Sequence, residues 1–219
     1  MNRRSFIEDS LQALAQTALA MGQAIAGTPP APGGQESRRI PNVPVVTHQN
    51  QPARFYDDLI KGKHVLINFM YASCPDSCPL QTANLALVQK ALAPRVGKDI
   101  FMYSITLDPR HDTPAVLKAY SERFNIGPGW SFLSGTEQDM ELIRRRLGFV
   151  DPNPVVDKDK ASHIGVVLYG NDQLDRWAGC PAMSRAMDIA EYVQWMDDNR
   201  EKLRKWDGIS RPAKPLPLA

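Results

Sequence analysis

Cysteine is scarce in this chain: three residues in 219, too few for the disulfide framework that staples small secreted domains. Charge of one sign is lacking too. The 26 Lys and Arg and the 24 Asp and Glu are interspersed and leave a formal net charge of +2, which gives no basic footprint for a nucleic acid and argues against such a partner. No repeat of fixed period runs through the sequence, which excludes solenoids and propellers. Hydrophobic residues at 43% and charged residues at 23% are ordinary for a globular protein, so neither a disordered chain nor a multispan membrane protein fits.

The first 26 residues read as an address. Arg3 and Arg4 are followed by an uncharged stretch from Ser10 to Gln35 that contains the small-residue triplet Ala24-Ile25-Ala26, the layout of a cleavable export signal. Gln12, Gln16, Thr17 and Gln23 interrupt the middle section, which falls short of the roughly 20 apolar residues of a membrane span. Membrane association is therefore not expected through a clear transmembrane helix. The string Arg3-Arg4-Ser5-Phe6-Ile7 resembles the twin-arginine export motif, which implies a periplasmic destination. Residues 27–40 form a Pro/Gly-rich leader, the folded domain is expected over 41–207, and 208–219, with three prolines, read as an extended tail.

Within the domain, an apolar run from His64 to Tyr71 is followed by CPDSC and then by apolar residues at helical spacing through Leu92, which gives strand, loop and helix. The pattern recurs as a strand over Ile100 to Asp108 and a helix from Thr113-Pro114 to about Phe124, with proline where a first turn tolerates it. A strand at Trp130 to Leu133 and a helix from about Glu137 to Leu147 come next, then a polar loop from Asp151 to Lys160. Strands at His163 to Tyr169 and Gln173 to Trp177, joined at Gly170-Asn171-Asp172 as a hairpin, precede a last helix from about Ser184 to Arg204. The sum is one α/β domain, a mixed sheet with helices on both faces.

Cys74 and Cys78 fall between a buried strand and a helix start, where unsatisfied N–H groups and the helix dipole favour thiolate. The three-residue gap lets both sulfurs turn towards one point and hold a soft ion, and an imidazole as third ligand suits copper or zinc. Of His48, His64, His111 and His163, the last opens a strand after a long polar loop and is best placed to reach the cysteines, giving a Cys2His site. The same cysteine pair also fits thiol–disulfide exchange, although C-x2-C is the tighter redox spacing. Both readings stand on the residues alone.

The segments Tyr71 to Leu85 (YASCPDSCPLQTANL), Ile105 to Tyr120 (ITLDPRHDTPAVLKAY) and Gly129 to Gly135, with His163 entering a strand, resemble the SCO/SenC family of copper-binding assembly factors for the CuA centre of cytochrome c oxidase. The resemblance covers roughly Asn42 to Trp206. It implies a thioredoxin-like mixed sheet flanked by helices, with a β-hairpin-type insertion near the metal histidine. It also implies copper, as Cu(I) or Cu(II), held by Cys74, Cys78 and His163, and a CuA-containing oxidase subunit or another copper protein as partner. The family commonly has aspartate before that histidine. This chain has Ser162, and Asp159 or Asp157 are the substitutes at hand.

The function expected is a periplasmic metallochaperone. The rival is a thiol–disulfide reductase in which Cys74 attacks a partner disulfide and Cys78 resolves the mixed species. Asp108 is a candidate for orienting a ligand from behind the site, and Asp112 is expected to cap the helix at Thr113-Pro114. His48, His64 and His111 are expected to be solvated. Cys180, with the soft donors Met183 and Met187 beyond it, is read as a helix cap followed by core methionines, with a second copper contact as the alternative. Tyr192, Val193, Trp195 and Met196 are taken as the buried face of the last helix.

Overall fold

A computed structural model describes residues 40–160 and 165–197. The chain divides after Ser37, so everything described belongs to the second unit. The expected signal, most of the leader and the tail lie outside the described residues, as do Ser162 and His163; the last helix, expected from about Ser184 to Arg204, runs over Ala186–Trp195 and is capped at Met196.

The elements run β1 (Pro44–Thr47), β2 (Pro52–Arg54), a π-helical turn at Phe55–Ile60, β3 (His64–Met70), α1 (Ser77–Ala91), β4 (Ile100–Thr106) and α2 (Pro114–Arg123). They continue with β5 (Trp130–Ser134), α3 (Glu137–Arg146), α4 (Pro154–Lys158), β6 (Val166–Asn171), a 3-10 turn at Asp172–Leu174, β7 (Arg176–Pro181) and α5 (Ala186–Trp195). The seven strands form one sheet in the order β2-β1-β5-β4-β3-β6-β7. β3, β4 and β5 are parallel, and the pairs β1–β2, β1–β5, β3–β6 and β6–β7 are antiparallel.

The central strands read as unbroken apolar runs because both sheet faces are covered. Leu66 and Met70 of β3 and Ile100 and Met102 of β4 pack with Leu85, Val88, Leu117 and Ile189. Val65, Ile67 and Phe69, with Tyr103 and Ile105, face the other way onto Phe55, Met140 and Ile143. The alternation has the period of two that a pleated strand imposes.

Three local readings are corrected. The hairpin exists, but Asp172–Leu174 and the left-handed Asp175 (φ 47°) make its turn, so β7 begins at Arg176 rather than Gln173. Gly170 stays in strand, paired with Val65 and Trp177, and the Trp177 ring lies on it, 2.4 Å from where a Cβ would sit. The polar loop before residue 160 contains a short helix started by Asn153, whose side chain accepts from Val155 N–H, with Pro154 at its first position. The N-terminal hairpin of β1 and β2, short and half-exposed, has no expectation in the sequence reading beyond the start of the fold near Pro41.

Candidate metal centre

β3 and β4 run side by side to Met70 and Thr106, and Leu107 N–H donates to the Met70 carbonyl at 2.8 Å, which extends the pairing by one step. Beyond it the chain turns: Cys74 N–H donates to the Tyr71 carbonyl at 3.2 Å, and α1 opens at Ser77 with Cys78 in its first turn. Asp76, before the helix, makes no side-chain cap. The N–H groups of this turn are thus left to the sulfurs, as the sequence reading requires.

All three cysteines are thiols rather than disulfides. Cys74 is 8% exposed and Cys78 fully buried, and they differ in proton affinity. Burial alone would raise the Cys74 pKa, but the Asp76 and Cys78 backbone N–H groups, the Cys78 thiol and the Tyr71 hydroxyl together hold it below the usual value. For Cys78, burial first and the neighbouring Cys74 second push it up to about 12. Cys74 is thus the more acidic of the pair and is hydrogen-bonded to Cys78. Tyr71, desolvated and bonded to Cys74, is also pushed up to about 12.

The loop after β4 is tied to this one. Asp112 does not cap α2; Thr113 does, its hydroxyl accepting from Val116 N–H. The Asp112 carboxylate instead accepts from Ala72 N–H at 3.0 Å and from the Thr106 hydroxyl at 2.5 Å. Burial, the largest effect on it, raises its pKa above the usual carboxylate value. Asp108 is buried, and its carboxylate is committed to Lys160 Nζ at 2.8 Å and His111 Nδ1 at 3.0 Å. Those partners outweigh burial and lower its pKa.

His163 lies outside the described residues, so the described part supplies two of the three expected ligands, and among the described residues no three His, Cys, Asp or Glu gather as a metal set. The residues bracketing 161–164 reach the elements around the cysteines: the loop after β4, the cysteine loop and α1. Lys160 pairs with Asp108; Asp159 acts electrostatically on Tyr71; Gly165 packs against Gln81 of α1, where a Cβ would lie 2.9 Å from its side chain. Asp157 is not available as a substitute for the aspartate missing at 162, because Arg144 grips it with bonds of 2.6 and 2.9 Å.

Two of the histidines expected in solvent are structural. His48 is buried, its Nδ1 accepting from Phe132 N–H at 3.1 Å. His64 is partly buried, with Nε2 2.7 Å from the Asn171 amide and Nδ1 3.2 Å from Asp197 without hydrogen-bond alignment. Burial lowers both pKa values; only His111 is exposed as expected. Cys180 is a buried strand residue of β7 opposite Val167, in the core that also holds Cys74 and Cys78. Met183 and Met187 are 57% and 69% exposed, so they are not core methionines. On the last helix Val193 is buried, whereas Trp195 is exposed.

The SCO1/SenC sequence family matches residues 45–172. The chain belongs to this family. An SCO2-like protein of Rickettsia felis is 38% identical over 119 residues, covering 50% of this chain and 57% of that one. The chain spans 66% or less of the length of the curated relatives it matches, and 29% of mitochondrial SCO1 of Saccharomyces cerevisiae. Among solved structures, Bradyrhizobium japonicum ScoI with copper bound has a TM-score of 0.57 at 22% identity, covering 70% of this chain and 96% of that one. BsSco, described as carrying a disulfide switch and as a member of the Sco family of cytochrome c oxidase assembly proteins, has a TM-score of 0.59 at 18% identity, covering 74% and 95%. The fold of this SCO1/SenC member is thioredoxin-like: β3-α1-β4 is its parallel half and β6-β7-α5 its antiparallel half.

Proposed function

We propose that Cys74, Cys78 and His163 bind copper and that the protein acts in the periplasm, handing the ion to the CuA site of an oxidase subunit or to another copper protein. The observation that carries this is the cysteine pair, two sulfurs sharing a hydrogen bond at a helix start, with Cys74 the more acidic. Such a set fits a soft ion. The third ligand is supported by register. β6 is antiparallel to β3, with Ile67 opposite Leu168, so the chain entering β6 arrives at the end of β3 where the cysteine loop begins. The relatives lend the cargo and the partner: copper is bound in the ScoI structure, and BsSco is of an oxidase-assembly family. The signal-like residues 1–26 support export. No helix among the described residues is long and apolar enough to cross a membrane.

The asymmetry of the pair favours thiol–disulfide reduction as the second reading. Cys74 thiolate would attack a partner disulfide and displace one partner thiolate; Cys78 would then attack Cys74, release the second and leave a Cys74–Cys78 disulfide. The two readings separate on a soluble CuA domain. Copper-loaded protein is expected to transfer copper to the reduced apo-domain, whereas metal-free reduced protein is expected to leave the oxidised domain's disulfide intact. Stoichiometric reduction without copper transfer would reverse the order of the readings.

A further inference from the structure

Past Met70 the cysteine loop leaves the sheet ladder, and a buried carboxylate ties it to the end of β4. Asp112 is 1% exposed. It accepts the Ala72 N–H at 3.0 Å, two residues before Cys74, and the hydroxyl of Thr106, the last residue of β4. Its own backbone is fixed from both sides: Asp112 N–H donates to the Asp108 carbonyl at 2.9 Å, and the next residue, Thr113, caps α2. Thr106 is held in turn, because its hydroxyl oxygen accepts from Asp108 N–H at 2.8 Å. The carboxylate therefore joins the end of β4, the start of α2 and the cysteine loop. Cys78 is anchored in α1, so the path from Met70 to Cys74 bears directly on where the two sulfurs stand relative to each other.

We propose that Asp112 is a positioning residue that sets the placement of Cys74 against Cys78. This rests on the copper reading for its metal readout alone. Removing the carboxylate leaves the part-buried Ala72 N–H and the buried Thr106 hydroxyl without their acceptor, and a shift of the loop that carries Cys74 relieves this. Supporting groups behind metal ligands characteristically change affinity by about 10- to 100-fold. Thr106→Val is the comparison: it removes one bond of the carboxylate and the acceptor of Asp108 N–H, and keeps the carboxylate's bond to Ala72.

The experiment uses the full chain in Asp112→Ala, Asp112→Asn and Thr106→Val forms, each checked for folding by thermal unfolding. Two quantities are read: copper affinity by chelator competition, and the equilibrium of the metal-free Cys74/Cys78 pair with glutathione. Asp112→Ala is expected to weaken copper about 10- to 100-fold and to shift the glutathione equilibrium about tenfold towards the dithiol. Asp112→Asn, whose neutral oxygen is a weaker acceptor, is expected to shift both about threefold or more, and Thr106→Val to stay within about threefold of the parent. If Asp112→Ala fails to fold, Asp112→Asn decides. The proposal is overturned if a folded Asp112 variant keeps both parent values, or if Thr106→Val moves both as far. A parent that binds no copper defeats the copper reading, while the glutathione equilibrium still tests Asp112.

Discussion

Cys74 and Cys78 are chemically alike and four positions apart, yet their surroundings separate them. Cys74 sits on the loop among donors; Cys78 is enclosed by α1 and the core. Alkylation follows thiolate content and access, so iodoacetamide at pH 8 should label Cys74 well before Cys78 or Cys180 in the metal-free reduced protein. Peptide mapping over time checks this, and equal labelling of Cys78 would contradict the asymmetry. Gly129 is another residue whose role is geometric. Its φ of +83° and the Gly97 nitrogen, 2.3 Å from a built Cβ, leave no room for a side chain. Gly129→Ala should cost more than about 2 kcal/mol in urea unfolding. The cysteines were legible because strand–loop–helix patterning announces a thiolate-favouring turn. Asp112 was misread because a residue before Thr-Pro matches a cap signature, and only the third dimension shows its carboxylate turned to Ala72.

Among the elements, those fixed by local pattern were recovered and those fixed by distant partners were not. The β3-α1 and β4-α2 units carry apolar periodicity and Pro114, and they stand where the sequence put them. The segment before residue 160 is polar and reads as loop, yet α4 forms there because Arg144 at the end of α3 reaches Asp157 with two bonds, Glu141 with two more and the Phe149 carbonyl with another. No spacing rule links residues 144 and 157. Both side chains are largely buried, so Asp157→Asn should destabilise the protein by about 3 kcal/mol, seen as a lower Tm at pH 7. Bonding to Arg144 holds the Asp157 pKa far below its usual 3.8. Its stabilisation is complete above that usual value and is lost as pH falls towards the depressed one. The Tm gap should therefore hold from pH 7 to about 5 and narrow only below about 4; a gap that closes between pH 7 and 5 would contradict the clamp.

At the scale of the whole molecule, the parallel strands β3 and β4 deliver two loops to their carboxyl ends, where ligands of open α/β sheets gather. The loop after β3 and the first turn of α1 hold the cysteines, and the loop after β4 holds Asp108 and Asp112. The antiparallel β6 brings its own entry to the same edge. That convergence suits the proposed copper site of residues 74, 78 and 163, and the histidine is the ligand that decides between the proposed readings, since two thiols alone also serve redox exchange. The most direct measurement is a chelator-competition titration of the reduced protein with copper, in parent and His163→Ala forms. The account predicts tight binding of a single ion by the parent and a loss of at least about tenfold in the variant, in line with the cost of losing a ligand-level contact. Micromolar or weaker binding that His163→Ala leaves unchanged would contradict it.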